Sequence, residues 1–120
     1  MAPLGFGPFG GALLVGNFGG GQINAFDPAT GDWMGTLNGT NGSPLAIPGL
    51  WALAFGNGAG GASPQTLYFT AGPNDETDGL FGSLAPLYPA ITAGAHFLQH
   101  NLVSDIAGYA DHTDTNLVNP

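Results

Sequence analysis

The chain has no lysine, no arginine and no cysteine. Without a cationic side chain it has nothing with which to neutralise nucleic-acid phosphates or to dock on an anionic membrane surface, and its formal charge of −8 stands uncompensated. Nucleic acid and membrane insertion are therefore not expected among its partners. Ion pairs are confined to those made by histidine or the amino terminus, so stability must come from apolar packing and backbone hydrogen bonds. The lack of cysteine rules out disulfides and thiolate metal sites and suits either an oxidising or a reducing compartment. No apolar run approaches the roughly 18 residues of a membrane span, and Met1-Ala-Pro-Leu lacks the basic start of a signal peptide. If the protein is exported, its signal lies outside this sequence.

What is present describes a loop-rich, all-β chain. Of 120 residues, 22 are Gly and 10 are Pro and only 7% are charged, yet 43% are apolar and 11% aromatic, enough to build a core. Short β-type runs alternate with turn signals: "ALLVGNF", "GGGQINAFDP", "ATGDWMGTLNG", "LWALAF", "TLYFTAG", "LFGSLAPL" and "HFLQHNLVSDI". In "FDPATGDW", Pro28 presets a turn φ, Gly31 permits a positive one and Asp27 can bond its own backbone. The sequons at Asn38 and Asn41 overlap a Gly-Asn turn and read as turn chemistry before glycan sites.

The second set of runs restates the first. "ALLVGNFGGGQINAF" aligns with "TLYFTAGPNDETDGLFGSL", an acidic loop replacing three glycines, at a period of about 50 to 60 residues. Up to four short strands per unit suit a β-propeller blade, and "MAPLGF" is expected to complete an innermost strand. The expected division is one unit of two blades, 1–45 and 46–105, with a connecting tail over 106–120. Two blades cannot close a ring, so copies of the chain would have to supply the rest, as a closed trimer or a head-to-tail filament.

The segments "LLVGNFGGGQINAFDPATGDWMGTLNG", "GLWALAFGNG", "TLYFTAGPNDETDGLFGSL" and "NLVSDIAGYADHTDTNLVNP" resemble an uncharacterised family of exported bacterial β-propeller proteins, six-bladed and NHL-like. Residues 9–87 resemble that family's carboxy-terminal blades and residues 97–120 its amino-terminal start, so the order is permuted. The resemblance implies a propeller and an extracellular or periplasmic location. It implies no activity, since none is established for the family.

Three of the eight carboxylates, Asp75, Glu76 and Asp78, crowd one loop. The first reading is a solvated turn whose Asn and Asp side chains satisfy backbone groups. Hard oxygen ligands in a chain without cations make Ca²⁺ the candidate ion if the loop binds one, although the spacing departs from an EF-hand. His112, with Asp111 and Asp114, is a second candidate binding group, as ligand or general base. His96 and His100 share a face in either a helix or a strand but lack an evident third ligand. Trp33, Trp51, Phe55, Tyr68 and Phe69 read as packing between blades. No catalytic residue emerges. The expected function is a non-enzymatic structural or binding module that self-assembles, and the alternative is a metal-dependent, lactonase-like hydrolase working in a central channel.

Overall fold

The computed structural model of the chain describes residues 1–87 and 96–118. They form two β-sheets. The first has three antiparallel strands, β1 (Leu13–Gly16), β2 (Ile23–Phe26) and β3 (Trp33–Thr36), in the order β1-β2-β3. The second runs β4 (Leu50–Phe55), β5 (Leu67–Ala71), β6 (Leu80–Pro86), β7 (Phe97–Ser104) and β8 (His112–Thr113), antiparallel except that β8 lies parallel to β7. Asn119 and Pro120 of the expected connecting tail lie outside the described residues, as does the 88–95 part of the second expected blade.

Period-two alternation decides which side chains go inside. In β5, Leu67, Phe69 and Ala71 are buried while Tyr68 and Thr70 face outward, and in β6 Leu80, Gly82 and Leu84 take the inner positions. Ile23 and Ala25 do the same for the first sheet, so the inner faces of the two sheets meet. One cluster, containing Ile23, Leu37, Ile47, Leu50, Phe69 and Phe97, spans both sheets and the connection between them. The sheets are also stitched at their ends: Phe97 N donates to Asn38 O at 2.8 Å, and the His96 Nδ1 meets Gly39 O at 2.9 Å.

The amino-terminal segment makes no strand. Instead Gly5, Gly7 and Pro8 break extended pairing, Gly7–Phe9 forms a single 3₁₀ turn, and Ala2 is tied to the chain at Ala12 by a 2.8 Å bond from its N–H. This turn aims Phe6 into the core, where it is fully buried, edge-on to Phe55 at 4.9 Å and against Phe97 at 5.0 Å. The turns read from the sequence behave as their residues dictate. Asp27 Oδ1 accepts from the N–H of Ala29 at 2.8 Å, and Gly31 has φ 78°.

Candidate functional site

The acidic loop joins β5 to β6, and its backbone is unusual. Asn74, Asp75 and Glu76 all have left-handed φ, at 54°, 56° and 66°, inside the single turn Pro73–Glu76. Asn and Asp tolerate that region because their short side chains bond locally, whereas glutamate has no such compensation. Glu76→Gly is therefore expected to stabilise the fold by about 0.5–1 kcal/mol despite removing a side chain. A thermal melt reads this as a raised midpoint, and an unchanged or lowered one would contradict it.

The three carboxylates do not act as a set. Asp78 Oδ2 accepts from the Asn74 amide at 2.6 Å, while Asp75 and Glu76 border a cleft of about 460 Å³ shared with Phe18, Pro48 and Gly49. Among the described residues, no three His, Asp or Glu side chains gather into a group that could hold a metal ion. The Ca²⁺ reading thus rests on sequence density alone.

The second predicted group divides as well. Asp111 meets a histidine, but it is His100: Nε2 of His100 lies 2.5 Å from Asp111 Oδ2, with both side chains more than half exposed. β8 carries the exposed His112 beside Val103, and Asp114 closes a turn by accepting from the backbone N–H of Asn116 at 3.0 Å. A polar cleft of about 320 Å³ opens beside the His100–Asp111 pair, lined also by Gln99, Asn101 and Tyr109. Its polar groups largely satisfy one another, since Gln99 donates to Asn101 Oδ1 at 2.9 Å and Asn101 donates to Tyr109 O at 3.1 Å. Sequence reasoning had no signal for this pair, because β8 must first return parallel to β7 to bring positions 100 and 111 together.

The least expected surfaces are the outer faces of the sheets. On the first, Leu13, Phe26 and Trp33 are cross-strand neighbours, and Leu13 is 42% and Trp33 62% exposed. On the second, Tyr68 and Phe81 stack with centroids 5.8 Å apart and ring planes within 8°, and Leu98, 48% exposed, lies on the same side. These rings and the glycine-rich loop 56–62 wall a cleft of about 470 Å³. The tryptophans, expected to pack between blades, do not lie between the two sheets of this chain, for a physical reason. Trp51 is the extra residue of a bulge between Leu50 and Ala52, which turns it out against Phe18, and Trp33 follows a second bulge's register onto the outer face. Phe69 is buried and Phe55 packs against the core between the two sheets.

All eight carboxylates lie in turns and connections, none on a strand. Among the described residues the strands of both outer faces therefore carry no carboxylate; their titratable side chains are Tyr68, His100 and His112, with Asp111 reaching the larger sheet's face only at its β7–β8 edge, where it meets His100.

Among known proteins, two uncharacterised proteins of Acanthamoeba polyphaga mimivirus are similar. One is 41% identical over 83 residues, 69% of this chain and 20% of its own length, and the other is 40% identical over 74 residues, 62% and 17%. The chain thus spans about a fifth of the length of these curated relatives. No family model and no solved structure matches it.

Proposed function

We propose that the chain is a non-enzymatic structural module that associates with copies of itself through the outer faces of its sheets, the sheets acting as propeller-type blades in a closed trimer or an open filament. The observation that carries this reading is the separation of charge from the strands: a chain of net charge −8 keeps every carboxylate in its turns and connections and leaves large apolar side chains, Leu13 and Trp33 on one sheet and Leu98 on the other, exposed on the outer faces. Exposed apolar surface of this kind marks an interaction site, and faces whose strands carry no carboxylate are where two acidic chains meet with the least opposing charge.

Association of this type has a salt dependence of definite sign. Between two −8 chains the long-range force is repulsive, so screening it favours contact. Sedimentation equilibrium is expected to show a mean mass above 12.0 kDa at micromolar concentration, rising between low and moderate salt. A mass that stays at 12.0 kDa at all concentrations and salts overturns the proposal, and so does one that falls with salt, which would assign the contact to carboxylates paired with histidine or the amino terminus.

A further inference from the structure

Resting on that self-association reading, we infer that the contact is heterologous: the Leu13–Phe26–Trp33 face of one copy packs on the Tyr68–Phe81–Leu98 face of the next. The two faces differ in relief. The three-stranded sheet presents a continuous row of large groups, Leu13 beside Phe26 beside Trp33. The larger sheet presents small residues on β4, with Ala52 opposite Thr70 and Ala54 opposite Tyr68, and then the 470 Å³ cleft between its stacked rings and loop 56–62. Large groups meeting a face that offers a hollow fill it, whereas a bulky row against its own copy leaves voids whose lining loses dispersion contacts.

Polar accounting favours the same pairing. Burying Trp33 orphans no donor, because its Nε1 already donates to Asn24 Oδ1 at 3.3 Å, and the Thr36 hydroxyl donates to that oxygen at 2.6 Å. Charge points the same way. Asp32 precedes Trp33 in the chain, so a two-fold contact that set Trp33 against its symmetry mate would also set Asp32 beside Asp32. The glycine-rich wall of the cleft, residues 56–62, carries no charged residue, and the His100–Asp111 pair lies beyond Leu98 at the β7–β8 edge, outside the cleft. A heterologous contact repeats, which is what both a ring and a filament require.

The test is complementation between single-face variants. Trp33→Glu blocks the first face and Leu98→Glu the second, and both side chains are exposed enough for the fold to survive. Each variant alone is expected to sediment as a 12.0 kDa monomer, while an equimolar mixture forms a dimer of twice that mass and nothing larger, because one intact face of each kind remains. If either variant self-associates while the other does not, the contact is two-fold and the inference falls. If both associate like the wild type, the faces named here are not the contact, and the inference falls while self-association stands. A monomeric wild type removes the self-association reading itself. Circular dichroism checks each variant for folding, and Leu13→Thr and Phe81→Gln replace any that unfolds.

Discussion

Replacing Phe6 with alanine is expected to destabilise the fold by about 3–5 kcal/mol, the range for emptying a buried aromatic site. The ring is fully buried and touches Phe55 and Phe97, which sit at opposite edges of the larger sheet's antiparallel run, on β4 and at the start of β7. Its neighbour Phe9 stacks parallel to Phe97 at 6.1 Å, so the amino-terminal turn contributes two rings to one aromatic group. The cavity left by Phe6→Ala cannot collapse easily, because the turn that delivers it is pinned by reciprocal bonds, Ala2 N–H to Ala12 O and Gly11 N–H to Ala2 O. In a thermal melt the midpoint should fall by roughly 10 °C or more. A shift of only a few degrees would mean that the first dozen residues are an appendage and not part of the core.

Gly21→Ala is expected to cost about 2–5 kcal/mol, from two sources that add. The residue has φ 72°, where a Cβ costs about 1–2 kcal/mol, and that Cβ would also stand 2.4 Å from Ile47 O and 2.5 Å from Ile47 N. Backbone cannot swing aside as a side-chain end can, and the approach is held by the Ile47 N–H donating to Gly21 O at 3.0 Å. Gly31→Ala is the matched control. Its φ of 78° is similar, but a Cβ there meets nothing within 4 Å, so only the conformational part should appear. Denaturant titration of the pair separates the two. Equal losses would show that the contact with Ile47 relaxes freely.

Strand positions were largely readable, because alternating apolar runs bounded by Gly, Pro and Asp have few other solutions. "TLYFTAG" and "LFGSLAPL" are β5 and β6, antiparallel neighbours joined by the acidic loop, as the residues imply. The Asp27 turn likewise follows from local chemistry. What stayed hidden depends on one-residue offsets or on distant pairing. A bulge shifts register by one position and so sends a side chain to the opposite face, which is how Trp51 and Trp33 come to lie outside. The segment "MAPLGF", expected from the repeat to complete an innermost strand, is instead turned by the glycines and prolines in and beside it into a plug. Of the three residues grouped around position 112, only Asp111 finds a histidine, and the one it finds is eleven positions away.

The buried cluster has a consequence for how the chain comes apart. Two sheets, each built from a similar hairpin, invite the view of two units that melt separately, as neighbouring repeats in a solenoid can. Here neither sheet owns a private core. Ile23 and Leu37 of the first half, Leu45 and Ile47 of the connection, and Phe97 of the last long strand are buried in one group, with Phe6 sealing it from the far end of the sequence. Detaching either sheet exposes the apolar face of the other, which makes such a partly open form costly. The two sheets are thus expected to unfold as one cooperative unit, the core amides of both sharing the slowest hydrogen exchange while turns and edges open locally.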